Sequence, residues 1–81
     1  MEKSAYAQAL AHPVRREIIE LLKNDRMSAG AIAYKLNISG AAASAHLSAL
    51  KKAGLIYDEK QKTFVYYHLN REALGRMDES F

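Results

Sequence analysis

The chain has 81 residues, no cysteine and 49% hydrophobic content. This length predicts one small domain over residues 1–81, a size that is marginally stable alone and often gains from oligomerisation. The lack of cysteine excludes disulfides, thiolate metal sites and thiol nucleophiles. No apolar run approaches the roughly 20 residues of a membrane span, and the N-terminus has no signal-peptide pattern. We therefore expect a soluble cytoplasmic protein that does not insert into membranes.

The net charge of +3 is concentrated in the middle of the sequence. Residues 26–57 contain Arg26, Lys35, Lys51 and Lys52 but no acidic residue, whereas the flanking segments are nearly neutral. A segment with charge of one sign attracts phosphate and favours a nucleic-acid partner. A solvated surface that lacks acids by chance explains the same charge about equally well. Charge alone therefore leaves both interpretations open.

Two helices are predicted before this basic segment. The first covers residues 4–11 and is interrupted at His12-Pro13. Proline is favoured at the first position of a helix, so a second helix begins at Pro13 and ends at residues 24–26. Its apolar stripe has the i, i+4, i+7, i+8 spacing of an amphipathic helix. The stripe consists of Val14, Ile18, Leu21 and Leu22.

The next two helices are predicted to form a helix-turn-helix. Ser28 is a suitable N-cap for a helix over 29–36, and Asn37 tolerates the left-handed conformation of a tight helix exit. Ser39 caps a helix over about 40–53, which ends at Gly54. Two helices joined by such a short turn are typical of this motif. The inward residues are Ile32, Ala33 and Leu36 of the first helix and Ala43, Leu47 and Leu50 of the second.

After Gly54 the apolar pattern changes to the period of two that is typical of strands. One strand begins at residues 55–57, residues 60–62 form a polar connection, and a second strand covers 63–69. Asn70 then caps a last helix. The predicted fold is mainly α with a small β-hairpin, in the order α-α-α-α-β-β-α, which is a winged helix-turn-helix.

Several motifs in this order resemble the ArsR/SmtB winged-helix repressors, and most closely their metal-free, SdpR-like autorepressor branch. The resemblance covers about residues 5–70 and is carried by AHPVRREIIELL (11–22), SAHL (44–47), AGLI (53–56) and VYYHL (65–69). It implies a homodimer joined by the first and last helices. It also implies that the helix over 39–53 enters the major groove of double-stranded DNA while the wing tip contacts the backbone.

The resemblance assigns a role to individual residues of this chain. The implied dimer interface consists of Tyr6, Leu10, Leu74, Met77 and Phe81, although packing onto their own domain is the alternative for these side chains. The base-reading positions of the family fall on Gly40, Ala41, Ser44 and Ala45, where small residues replace the larger polar ones that the family often carries. Further candidates are the other outward-facing residues of this helix, the wing tip and the N-cap serines. The predicted DNA-binding residues are therefore Ser28, Ser39, Gly40, Ala41, Ser44, Ala45, Ser48, Lys51, Lys52, Lys60, Gln61 and Lys62.

Metal sensing and catalysis are both disfavoured by the residues present. Metal-sensing relatives use cysteine pairs or Asp, His and Glu sets that this chain lacks, and His12, His46 and His68 form no i, i+4 pair. We therefore predict no metal and no cofactor. The sequence has no nucleophile motif or Gly-rich phosphate loop, so we predict no enzyme. For His46, a packed, hydrogen-bonded structural role is favoured over contact with DNA.

These observations predict a homodimeric transcriptional repressor that binds an inverted-repeat operator and does not respond to metals. It would act in a bacterial or archaeal cytoplasm, associated with the nucleoid, and be released by another protein or a small-molecule inducer. The alternative is a winged-helix protein–protein interaction module without specific DNA reading. The alanine-rich segment 40–45 supports this alternative, because a flat helix face can dock a partner helix.

Overall fold

The structure is a computed structural model that describes residues 5–80, with side chains described for residues 6–75. The elements in chain order are α1 (Ala5–Ala9), α2 (Pro13–Asn24), α3 (Ala29–Leu36), α4 (Gly40–Lys52), β1 (Ile56–Gln61), β2 (Phe64–Leu69) and α5 (Arg71–Ser80). The predicted fold class and element order are confirmed. In this part of the chain, no helix is both long and apolar enough to cross a membrane.

The break between α1 and α2 follows from His12 and Pro13. The Nδ1 atom of His12 accepts a hydrogen bond from the backbone N–H of Val14 at 3.2 Å, so His12 is the N-cap and Pro13 the first residue of α2. α1 ends at Ala9, two residues before the predicted end. The predicted stripe on α2 was partly wrong, because Ile19 is buried while Leu21 is only half-buried.

Local capping explains the turn between α3 and α4. The hydroxyl oxygen of Ser28 accepts a hydrogen bond from the N–H of Ala31 at 3.1 Å, and that of Ser39 accepts one from Ala42 at 3.0 Å. Asn37 has φ 55 and ψ 48, which is the left-handed conformation predicted for it. The helix-turn-helix is therefore built as the sequence predicted.

Glycine ends α4 by a Schellman motif. Gly54 has φ 80, a conformation that favours glycine because no Cβ opposes it. Its N–H donates to the carbonyl of Lys51 at 2.9 Å, and the N–H of Leu55 donates to the carbonyl of Leu50 at 3.1 Å. This exit turns the chain directly into the wing, the hairpin formed by β1 and β2.

The wing is longer on its first strand than predicted. β1 extends through Lys60 and Gln61, which pair with Val65 and Phe64, so the predicted polar connection over 60–62 was wrong. The turn consists of Lys62 and Thr63 instead, and Lys62 has a φ of 57. Pairing across the strands explains the extension, because each polar residue on β1 faces an aromatic or β-branched partner on β2.

Backbone contacts fix the base of the wing. The N–H of Met27, between α2 and α3, donates to the carbonyl of Tyr67 at 3.2 Å, and the N–H of Tyr67 donates back at 2.8 Å. Asn70 accepts a hydrogen bond from Ala73 at 3.2 Å, which caps α5 as predicted, and its side-chain amide donates to the carbonyl of Gly54 at 2.9 Å. The second strand and the residue that follows it are therefore tied to the α2–α3 connection and to the end of α4.

The core lies where α2, α3 and α4 meet the base of the wing. Every helix of the helix-turn-helix contributes to it, so burial of apolar surface sets how α4 is presented to solvent. The side chains that are almost completely buried are Ile18, Leu22, Ile32, Leu47, Leu50 and Leu55.

Candidate nucleic-acid interface

One face of α4 is free of the core and exposed to solvent. Ala43, Leu47 and Leu50 are buried, as predicted, and the opposite face is exposed. That face, together with the start of the helix, is formed by Ser39, Gly40, Ala41, Ser44, Ala45, Ser48, Lys51 and Lys52. The structure thus places eight of the predicted DNA-binding residues on one continuous surface, here called the α4 face.

The serines of this region differ in whether their hydroxyl groups already form hydrogen bonds within the protein. Ser28 and Ser39 accept backbone hydrogen bonds as N-caps, so each keeps its hydroxyl hydrogen for donation to another group. Among the residues that the structure describes, Ser44 and Ser48 have no hydrogen-bond partner. On the α4 face these two serines can therefore both donate to and accept from a base edge.

Two of the four basic residues in the acid-free segment are not free cations. The Lys51 ammonium lies 2.9 Å from the Asp58 carboxylate. Their hydrogen bond, with the attraction between the charges, raises the pKa of Lys51, and the same bond lowers the pKa of Asp58. Arg26 lies 3.9 Å from Glu59. Residues 26–57 are therefore partly neutralised by acids of β1, which the hairpin folds back against them.

The remaining lysines near the α4 face are exposed. Within the described part of the chain, Lys35, Lys52, Lys60 and Lys62 form no ion pair. Lys60 lies on β1, whereas Lys62 is in the turn at the wing tip and Gln61 is the last residue before that turn. Unpaired ammonium groups on α3, α4 and the wing can each approach a separate phosphate.

The outer face of the wing carries an aromatic cluster. The rings of Tyr57 and His68 stack with centroids 5.0 Å apart, and the Arg26 guanidinium lies 4.3 Å from the centroid of Tyr66. His68 is also 2.9 Å from Glu59, and this hydrogen bond is the main reason why the pKa of Glu59 is lowered. Alternation along β2 places Tyr66 and His68 on this same face. It could not predict that Arg26, from the α2–α3 connection, covers it.

An exposed tyrosine on α3 was not singled out from the sequence. The side chain of Tyr34 is 89% exposed and precedes Lys35 on the outer surface of the helix. The helical period does identify it, because Ile32, Ala33 and Leu36 define the buried side of α3. A phenol at this position can donate a hydrogen bond beside the free ammonium group.

Comparison with known proteins identifies the family. A model described as a helix-turn-helix domain matches residues 10–59. The transcriptional repressor SdpR of Bacillus subtilis is 45% identical over 67 residues, which cover 83% of this chain and 74% of that protein. The chain belongs to the ArsR-type winged helix-turn-helix regulators.

Two solved structures of ArsR-type proteins agree with this assignment. An ArsR-like transcriptional regulator from Rhodococcus sp. RHA1 has a TM-score of 0.86 at 28% identity, covering 94% of this chain and 72% of that one. A homodimeric winged helix-turn-helix DNA-binding domain from Mycobacterium bovis has a TM-score of 0.83 at 33% identity, covering 90% of this chain and 68% of that one. These relatives confirm the prediction of a DNA-binding transcriptional regulator rather than an enzyme.

The interface expected for an ArsR-type dimer is only partly within the described side chains. Tyr6, Leu10 and Leu74 are half-buried and pack against the core of their own domain. The alternative, packing onto their own domain, therefore holds for part of each of these side chains. The Met77 side chain and Phe81 lie outside the described residues.

The fold brings together two histidines that are 34 positions apart in sequence. The rings of His12 and His46 have centroids 4.5 Å apart, and Arg15 Nε donates to Nδ1 of His46 at 3.3 Å. The prediction that His46 is hydrogen-bonded is confirmed, whereas its contact with His12 was missed because no local pattern signals it. Among the described residues, no three His, Cys, Asp or Glu side chains are grouped so as to hold a metal ion.

Proposed function

We propose that this chain is a homodimeric repressor that binds an inverted-repeat DNA duplex through the α4 face and the wing. The observation that carries the proposal is the α4 face itself. It combines unpaired hydroxyl groups at Ser44 and Ser48 with a helix start at Ser39, where backbone N–H groups favour phosphate.

The proposed base contacts are small and few. Ser44 and Ser48 donate to or accept from base edges, and Ala41 and Ala45 place their methyl groups against thymine methyls. Gly40 allows close approach of the backbone to the duplex. The chain has no arginine on this face to form a bidentate contact with guanine, so DNA shape carries part of the specificity.

The proposed phosphate contacts come from Lys52, Lys60, Gln61 and Lys62, together with the hydroxyl of Ser28. Lys51 is included as a residue that reaches phosphate only in exchange for its ion pair with Asp58. If a dimer neutralises about six phosphates, the logarithm of the affinity falls against the logarithm of the salt concentration with a slope of about −5.

The proposed dimer uses α1 and α5, with Tyr6, Leu10, Leu74, Met77 and Phe81 in the interface. The remaining exposed surface of the first three residues supports this role, as does the homodimeric state of the similar domain from Mycobacterium bovis. We further propose that repression is relieved by a protein or small-molecule inducer acting at the dimer interface, and not by a metal.

Selection of random duplexes with the purified protein at two salt concentrations tests the proposal. Enrichment of a palindrome with half-sites about one helical turn apart is the expected result. Salt-dependent binding without enrichment of any sequence would contradict specific repression. Absence of binding at low salt would favour the alternative, a protein–protein interaction module docking through the alanine-rich start of α4.

A further inference from the structure

Three side chains meet where α4 packs against the start of α2. His12 caps α2, Arg15 lies in its first turn, and His46 lies in the middle of α4. Arg15 Nε donates to Nδ1 of His46 at 3.3 Å, and the two imidazole rings lie with centroids 4.5 Å apart. This cluster is a direct side-chain link between α2 and the helix that carries the α4 face.

The hydrogen bonds of the cluster require neutral imidazoles. His46 Nδ1 accepts from Arg15, and His12 Nδ1 accepts from the backbone N–H of Val14. A ring nitrogen accepts a hydrogen bond only when it carries no proton, so each ring holds its proton on Nε2. Protonation of His46 would place an N–H on Nδ1 directly opposite the N–H of Arg15.

The charges around His46 oppose its protonation. Partial burial lowers the pKa of His46, and electrostatic interaction with His12 and Arg15 lowers it further. On the side facing α1, Arg15 and Lys52 both line a cavity of about 290 Å³ between α1, α2 and α4. In the described part of the chain, Arg15 has no carboxylate in ion-pair contact, so nothing there compensates for a second positive charge.

The place of His46 on α4 gives this link a functional consequence. It lies between Ser44 and Ser48, the two residues proposed to read bases. We propose that His46 is a positioning residue for α4, and that its hydrogen bond with Arg15 makes the discrimination between DNA sequences dependent on pH. This inference rests on the proposed function.

Acidification has two opposite effects on DNA binding. Additional positive charge on His46 raises the affinity for any duplex, because phosphate attracts it. Loss of the Arg15–His46 hydrogen bond loosens the orientation of α4, and this weakens only contacts that need precise base-edge geometry. The informative quantity is therefore the ratio of affinities for a specific and an unrelated duplex.

The test measures this ratio by fluorescence anisotropy at constant ionic strength between about pH 8 and about pH 5.5, across the ordinary titration range of histidine. The probes are a duplex selected at pH 8 and its scrambled version. For the wild-type chain we expect the ratio to fall about fivefold on acidification, as for loss of one partly exposed hydrogen bond to a charged group.

Two variants of His46 separate positioning from simple packing. In His46→Asn the amide oxygen replaces Nδ1 as acceptor and cannot be protonated, so the ratio should stay at its pH 8 value throughout. In His46→Phe the ring is kept but the acceptor is lost, so the ratio should be low at every pH. His68→Gln is the matched control, since it removes a histidine of the wing and should keep the pH dependence of the wild type.

The outcomes distinguish this inference from the function on which it rests. No specific binding at pH 8 by the wild-type chain would refute the proposed repressor. Specific binding with a ratio that does not change with pH would overturn the role of His46 alone. A pH-dependent ratio in His46→Asn would do the same, and this variant decides the question even if His46→Phe fails to fold.

Discussion

The ion pair with Asp58 keeps the Lys51 ammonium from contacting phosphate at the proposed DNA-binding surface, and its removal should strengthen DNA binding. The ammonium lies 2.9 Å from the carboxylate, and both side chains are exposed to solvent. The hydrogen bond to Lys51 lowers the pKa of Asp58, so this carboxylate is ionised at neutral pH. Asp58→Asn removes the negative charge at nearly constant volume and releases the lysine.

The size of the effect follows from the number of phosphates that the released lysines neutralise. Each additional phosphate contact steepens the salt dependence by about 0.9, so a dimer with two released lysines gains about 1.8 in slope. Over a salt increase of about fourfold, the variant should lose affinity by about twelvefold more than the wild type. At low salt it should bind correspondingly more tightly.

The assay is a salt titration of binding to one duplex, with two further variants. Glu20→Gln removes a carboxylate from a comparable ion pair, Glu20 with Lys23 at 2.7 Å, and changes the net charge equally. It lies on α2 and should leave the slope unchanged. In Lys51→Ala/Asp58→Asn the gain should disappear. If this double variant keeps the full gain, the carboxylate acts on the phosphates directly, and the reasoning from a withheld lysine is wrong.

The other predictions concern base reading, folding and pH. Ser44→Ala should lower the affinity for a selected duplex about fivefold while leaving the affinity for unrelated DNA unchanged, as measured by competition binding. Asn70→Ala removes both the cap of α5 and the hydrogen bond to Gly54, so the free energy of unfolding in urea should fall by about 2 kcal/mol. Because folding lowers the pKa of His46, the unfolded chain binds more protons, and stability should decrease as the pH falls below the ordinary value of 6.5. His46→Gln should reduce this decrease in thermal unfolding between about pH 7.5 and about pH 5.5, a range above the titration of the carboxylates.

The parts of the fold that could be predicted from sequence are those with local physical causes. Ser28 and Ser39 cap helices because their hydroxyls satisfy N–H groups three residues later, and Asn37 and Gly54 end helices because they tolerate positive φ. Each of these signals lies within one turn of the structure that it determines. The exposed side of α4 followed in the same way from the period of its buried residues.

The contacts that escaped prediction join residues that are distant in sequence. The bridge between Met27 and Tyr67 and the contact between His12 and His46 depend on how the elements pack. No periodicity or cap reports such packing. The net charge of residues 26–57 overstates the number of free cations for the same reason. Asp58 lies outside this segment in sequence, but in the fold it forms an ion pair with Lys51.

Because the side chains at the start of the α4 face are small, the proposed recognition of DNA depends on how the whole surface is positioned. The side chain of alanine or glycine forms no hydrogen bond and is short, so the proposed contacts from Ser44 and Ser48 require the backbone of α4 to lie close to the bases. That approach is possible only if α4 and the wing are held in a fixed relation. The Met27–Tyr67 bridge and the Asn70–Gly54 hydrogen bond supply this rigidity from behind the surface. Under the proposed function, specificity therefore depends on these supporting residues as much as on the residues proposed to contact DNA.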